Sequence, residues 1–329
     1  METITSVDGT EIELAYPLDR DDPRVQAARK AEQRAYEHYG IEFTNHFVDV
    51  PSIKARLRVA EVGTGPPVVM VPGDTGHGTS LLLLLPGLEN HTVYIMDRPG
   101  GGLSDGIDYR SHTMGTIATR TIAAVFDHFG LENVPLIGNS IGGTWSLRFA
   151  LEHPDSVSAI VLLGCPPLYP GTSLPLPMRL MSLPGIGNLL IERVGQPHSV
   201  ADVRDYLVWL GHPDETVQRL PDELLEASYR MDNLPHFKLT WVSATQSITS
   251  LLGSSPEESL TDDDLQNVRS PVLLIWGSED PFGSSEMGRT GAEHFPDAEF
   301  HAVGTGHFPW LDEPERCREL IHGFTEQHY

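Results

Sequence analysis

Between an apolar run and a helix-forming stretch the chain reads VPLIGNSIGG, in which Gly138, Ser140 and Gly142 meet the pattern G-x-S-x-G. A serine in that setting occupies a tight strand-to-helix turn, flanked by small residues because nothing larger fits, and its oxygen stands at the end of a strand. The first backbone N–H groups of the following helix lie beside it. A serine hydroxyl is a poor nucleophile until a neighbouring base takes its proton, so the motif asks for a histidine and for an acid to orient that histidine. Both follow. The run VLLIW leads into GSEDP, which puts Glu279 and Asp280 in a loop after a strand, and HAVGTGHFPW puts His307 in a glycine-flanked loop. Serine as nucleophile, histidine as general base and an orienting acid together carry out acyl transfer to water.

The tetrahedral intermediate of such a reaction needs two aligned donors. One is expected from the residue after the serine, the backbone N–H of Ile141, and the other from the loop PGDTGHG after the strand VVMV. The N–H of Asp74 is the expected second donor there, with Thr75 next. A carboxylate pointing at a developing oxyanion is unfavourable, so Asp74 is expected to turn away and cap the helix that follows. Asp312 and Glu313, just beyond His307, are expected to interact with the positive end of the last helix.

These side chains need a scaffold, and the hydropathy pattern supplies one. Continuous apolar runs at 67–71, 92–96, 134–137, 159–163 and 271–276 suit strands buried on both faces of a parallel sheet. Helical patterns separate most of them, notably HTMGTIATRTIAAVFDHFG and TWSLRFALEHP, so the expected class is α/β with a mostly parallel, doubly wound sheet. Two further strands, Phe43 to Val50 and Ala55 to Val62, read as an antiparallel edge, the alternation in ARLRVAEV implying one solvated face. Residues 1–40 form an N-terminal helical extension that stops at Gly40. The alternation of strand and helix lapses over residues 168–265, whose amphipathic stretches VADVRDYLVWL and PDELLEASYRM predict a helical cap inserted into a core made of 41–167 and 266–329.

Composition narrows the partners. With 46 acidic and 22 basic residues among 329, the net charge of −24 repels nucleic acid and anionic lipid, which leaves a small molecule as the expected partner. The two cysteines, Cys165 and Cys317, sit in no metal-ligand spacing and imply no disulfide framework; neither a metal nor a cofactor is expected. The N-terminus lacks the basic start and apolar segment of a signal peptide and no apolar run is long enough to span a bilayer, so the expected location is the cytoplasm. Lysine occurs only at Lys30, Lys54 and Lys238. An acid-rich, lysine-poor surface suits concentrated salt, although an arginine-favouring genome produces the same bias.

With these residues in place, the chain resembles the α/β-hydrolase superfamily over approximately residues 43 to 325. MDRPGGGLSD (96–105) is similar to its loop after the fourth strand, WGSEDP (276–281) to its acid loop and GHFPWLDEPE (306–315) to its histidine loop. The W-G-x-x-D pattern of that acid loop selects Asp280 over Glu279. Two departures matter. Pro72-Gly73 stands where many members have His-Gly, which bears on the shape of the oxyanion hole. Serine at the nucleophile position disfavours the dehalogenase and epoxide-hydrolase activities of members that use aspartate. GNSIGG is similar to the segment of many esterases and also to that of carbon–carbon bond hydrolases acting on ring-cleavage products. The resemblance therefore implies an ester hydrolase first and a carbon–carbon hydrolase second, the latter with a cap arginine such as Arg179 to hold a carboxylate. Lactonase, peptidase and perhydrolase chemistry use the same triad, and a non-catalytic binding protein on this fold would be expected to have lost part of it.

Overall fold

The computed structural model describes residues 3–5, 11–13, 15–73, 75–172, 174–181, 183, 196–250 and 253–328. Eight strands form the main sheet: β1 (Phe43–Val50), β2 (Ala55–Val62), β3 (Pro67–Val71), β4 (Thr92–Met96), β5 (Leu136–Asn139), β6 (Ile160–Leu163), β7 (Val272–Trp276) and β8 (Ala298–Ala302). They lie in the order β8-β7-β6-β5-β3-β4-β2-β1. Every pair from β4 to β8 is parallel, while β2 pairs antiparallel with both β1 and β4. The central strands β5, β6 and β7 are buried along their whole length, as continuous apolar runs require.

The helices that matter here are α1 (Pro23–His38), α2 (Met114–Phe129), α3 (Ile141–Glu152), α4 (Val200–Trp209), α5 (Asp222–Met231), α6 (Phe237–Ile248), α7 (Ser285–Ala292) and α8 (Pro314–Gln327). Their ends follow local chemistry. The side chain of Thr113 accepts the N–H of Thr116 to start α2, and Gly130, at φ 63°, closes it in the left-handed region. Ser199 and Asp202 form a reciprocal capping box on α4.

Two expectations need correction. The strand expected over 134–137 lies two residues later, because Gly138 and Asn139 continue the parallel pairing with Leu162 and Leu163 right up to the turn. The face of β2 expected to be solvated is not: Arg56 is exposed but Arg58 is fully buried. The reason is α1. Its Glu32 accepts from Arg58 Nη2 at 2.8 Å, Asn45 accepts from Arg58 Nε at 2.5 Å, and Asp97 lies 3.5 Å from Nη1. Burial pushes the Glu32 carboxyl up to about 7 despite the Arg58 charge. The N-terminal helix is therefore packed into the molecule, and it contacts α5 extensively.

Residues 168–265 carry α4, α5 and α6 with shorter helices at Leu176–Met181, Asp214–Arg219 and Asp262–Gln266. Val203, Leu207, Leu224 and Leu225 of α4 and α5 belong to the same buried cluster as the strands of the sheet. A second cluster of Leu18, Val25, Ala28, Leu103, Met231 and Leu234 joins the N-terminal segment to the end of α5. Among the described residues, no helix is long and apolar enough to cross a membrane.

Candidate active site

Ser140 sits between β5 and α3 with φ 51° and ψ −122°, a conformation that a residue with a side chain adopts only under constraint. The constraint is close backbone packing. A Cβ on Gly142 would fall 2.1 Å from the carbonyl oxygen of Val71, and one on Gly138 would fall 2.6 Å from that of Gly142, so both flanking positions of the motif admit glycine alone. The N–H of Ser140 donates to Leu163 O, and Asn139 Nδ2 donates to the same oxygen at 2.9 Å, tying the turn to the end of β6. Ile141 is the first residue of α3, at the positive end of that helix.

His307 and Asp280, 27 residues apart in sequence, meet at 2.7 Å between Nδ1 and Oδ2, and both side chains are buried. Glu279 is exposed. The Asp280 carboxylate is held from two sides: the N–H of Cys165 donates to Oδ2 and that of Phe282 to Oδ1, each at 2.9 Å. As an acceptor on Nδ1 it leaves the proton there and the lone pair on Nε2. His307 Nε2 is buried and has no hydrogen-bond partner among the described residues. Phe282 and Phe308 pack on the imidazole, with ring centroids at 4.5 and 5.3 Å.

The loop carrying His307 is fixed by residues that sequence spacing does not reveal. His212, just beyond α4, places Nδ1 2.9 Å from Asp312 Oδ1 and accepts the N–H of Phe308 at Nε2, 3.2 Å away. Leu210 O accepts the N–H of His307 itself. Asp312 Oδ2 takes the N–H groups of Thr305 and Gly306, both at 2.9 Å, and Glu313 Oε1 takes that of Gly304. Asp312 and Glu313 thus hold the histidine loop and do not serve the end of α8, where Glu313 makes no side-chain cap bond. The tight turn through Gly304 leaves several N–H groups needing acceptors, and these carboxylates are the nearest. Burial raises the Asp312 pKa, but the hydrogen bond and charge of His212 and the two backbone donors outweigh it and hold the carboxyl below its usual range.

Asp74 lies outside the described residues. The loop around it is anchored by Arg98, whose Nε donates to Pro72 O at 3.0 Å and whose Nη2 donates to Gly73 O. Arg98 also lies over the Trp145 ring at 5.2 Å. The sequence contained this residue within MDRPGGGLSD, but only the structure shows that it grips the two carbonyls before position 74. The helix expected after Asp74 is a 3-10 stretch, Gly78–Gly87, and its N-cap residue is His77.

A cavity of about 50 Å³ opens beside these groups. Gly73, Asn139 and Phe308, the sequence neighbours of Asp74, Ser140 and His307, line it. Val203, Tyr206 and Leu207 of α4, Leu220, and Leu224 and Leu225 of α5 form an apolar wall, interrupted by Thr75, His77, Ser80, Ser228 and Asp232. Trp209, at the end of α4, is 42% exposed and stacks on Tyr206. Met178, Leu180 and Arg179 belong to the helix Leu176–Met181 and are not among the described residues that line the cavity. The side chain of Met181 lies outside the described residues.

A family model described as alpha/beta hydrolase fold matches residues 66–314. The chain belongs to that family. The mostly parallel eight-stranded sheet flanked by helices is the α/β-hydrolase fold, and the hydrolases to which the chain is similar over most of its length support a hydrolase. Among its relatives, the 2-hydroxy-6-oxononadienedioate/2-hydroxy-6-oxononatrienedioate hydrolase of Paraburkholderia phymatum is 26% identical over 274 residues, covering 77% of this chain and 90% of its own. The 2-hydroxy-6-oxo-6-phenylhexa-2,4-dienoate hydrolase of Burkholderia cepacia is 27% identical over 278 residues, covering 82% and 91%. Among solved structures, a meta-cleavage product hydrolase from Pseudomonas fluorescens matches with a TM-score of 0.68 at 20% identity, covering 87% of this chain and 98% of that one. A carboxylesterase from Bacillus subtilis matches with a TM-score of 0.70 at 16% identity, covering 92% and 98%. At such identities the structural likeness speaks for the fold, which α/β hydrolases of either specificity share.

Proposed function

We propose that this α/β hydrolase cleaves a carbon–carbon bond in 2-hydroxy-6-oxo-dienoates, with Ser140 as nucleophile, His307 as general base and Asp280 as the acid that orients it. The sequence ranks ester hydrolysis first, and the relatives move the weight to its alternative. The observation that carries the reading is that similarity to hydrolases named for such substrates extends over 77 to 85% of the chain. A match of that extent cannot avoid residues 168–265, the part that shapes the cavity wall. Asn139, next to Ser140, and Phe308, next to His307, line a largely apolar cavity that is compatible with an aryl or alkyl ketone.

The chemistry follows from the substrate class. Moving the proton of the 2-hydroxyl to C5 gives a ketone at C2, so the electron pair later released at C5 is delocalised as a dienolate. Ser140 Oγ then bonds to the C6 carbonyl carbon while His307 Nε2 takes its proton, and the Asp280 carboxylate stabilises the imidazolium that forms. The N–H of Ile141, with a second donor that we assign to Asp74, receives the oxyanion. Collapse breaks the C5–C6 bond, the dienolate takes back the proton from His307, and water, activated by the same nitrogen, releases the acid from Ser140. The products are a carboxylic acid and 2-hydroxypenta-2,4-dienoate.

Comparing kcat/KM for 2-hydroxy-6-oxo-6-phenylhexa-2,4-dienoate with that for p-nitrophenyl benzoate, which presents the same acyl group, tests the assignment. The dienoate should be preferred by about 100-fold or more, since binding of its remote part is spent on the transition state. Preference for the ester would restore the first-ranked reading.

A further inference from the structure

His77 and Asp232 are 155 residues apart in sequence, yet Nε2 and Oδ1 stand 3.2 Å apart in the cavity wall. The pair links the oxyanion loop to the end of α5. Gln196 Nε2, donating to the backbone oxygen of Asp232 at 3.0 Å, steadies the far side. The other ring nitrogen, His77 Nδ1, is buried and has no hydrogen-bond partner among the described residues. A buried donor left unsatisfied costs free energy, and such a group at a ligand cavity is paired when the ligand arrives.

We propose that His77, braced by Asp232, is the receptor for the substrate's carboxylate, donating to it from Nδ1. Among the described residues that line the cavity, His77 is the only one whose side chain can carry positive charge. Arg179, the arginine expected in this role, is not among the described residues that line the cavity. Burial lowers the proton affinity of His77, but the hydrogen bond to Asp232 and the charges of Asp232, Asp97 and Glu32 outweigh it and hold the pKa above the ordinary histidine value. The protonated ring carries N–H on both nitrogens, one for Asp232 and one for a ligand oxygen. The inference rests on the cavity being the acyl-substrate site.

Two substitutions separate this role from a structural link. The amide nitrogen of glutamine reaches the place of Nε2, so H77Q keeps the Asp232 contact and loses the inner donor. The amide of asparagine reaches the place of Nδ1, so H77N does the reverse. In a Ser140→Ala background, calorimetry would give Kd for 6-oxo-6-phenylhexanoate and for its uncharged counterpart 1-phenylhexan-1-one. The acid should bind more tightly than the ketone. H77Q should weaken the acid by about tenfold or more and the ketone by less than about twofold, while H77N keeps most of the preference. Equal binding of the two ligands, parallel losses for both, or a preference kept by H77Q and lost by H77N would overturn the assignment. Because nothing is turned over, the outcome is independent of carbon–carbon cleavage: a carboxylate preference with no cleavage of the dienoate would remove the proposed function and leave the receptor standing.

Discussion

At the scale of single residues the site is an arrangement of buried polar atoms, most of them paired within the protein and two, His307 Nε2 and His77 Nδ1, left without a hydrogen-bond partner among the described residues. Asp280 is the clearest case, since its two oxygens accept from Cys165, Phe282 and His307. Asp280→Asn replaces an obligate acceptor with a group that can donate, so the imidazole loses the tautomer that leaves Nε2 free; kcat should fall about 10³–10⁴-fold with KM little changed. Steady-state kinetics check this, and a loss below about tenfold would remove Asp280 from the proposed triad. His236 is the opposite case. It is buried, neither ring nitrogen has a partner among the described residues, and burial pushes its pKa down to about 4. The unfolded chain takes up this proton near pH 6.5 and the folded one only near pH 4, so His236 costs stability progressively as pH falls through that window. His236→Leu should therefore gain about 2 kcal/mol on the wild type between pH 6.5 and pH 5, read from urea unfolding at the two values. A difference independent of pH would contradict the assignment. Ser140, Asp280 and His307 were marked in the sequence by local context, the first two at the ends of apolar strands and His307 in a glycine-flanked loop, in that order. His77, Asp232 and His212 were not, because their partners lie 100 residues or more away and no local spacing marks them.

At the scale of elements, the strands were legible wherever burial demands a continuous apolar run, and β1 and β2 begin and end where the sequence puts them. Pattern failed where a polar group is buried with partners from elsewhere. Arg58 reads as a solvated position in an alternating strand, yet α1 covers it and supplies Glu32. The histidine loop shows the same limit: besides the segment just before α8, it is anchored by His212 at the end of α4, which only the fold brings to it. His212→Ala would leave the N–H of Phe308 without a partner and take the imidazole from Asp312 Oδ1, while Oδ2 keeps Thr305 and Gly306. We expect kcat to drop about tenfold with KM nearly constant, alongside a loss of about 2 kcal/mol in unfolding free energy. Unchanged kcat in a destabilised protein would show that the His212 contact supports the fold and not the placement of His307.

At the scale of the whole molecule, a net charge of −24 sits on a chain whose buried ionic groups are mostly paired. Self-repulsion of surface carboxylates is then the electrostatic cost of the compact state, and it weakens as the screening length falls from about 10 Å at 0.1 M salt to about 3 Å at 1 M. The midpoint of urea unfolding should rise between dilute and molar KCl; a flat or falling midpoint would attribute the acidic, lysine-poor composition to codon bias. The site is also a property of the whole, since the loops after β3, β5 and β8 and the helices α4 and α5 line one cavity, and the loop after β7 joins them through the Asp280–His307 hydrogen bond. The most direct test is a single turnover of 2-hydroxy-6-oxo-6-phenylhexa-2,4-dienoate by the wild type and by Ser140→Ala, following loss of the conjugated chromophore and identifying the products. If Ser140 is the nucleophile of carbon–carbon cleavage, the wild type yields benzoate and 2-hydroxypenta-2,4-dienoate and the variant holds bound but uncleaved substrate. Equal cleavage by both proteins, or an intact dienoate with the wild type, would contradict that role.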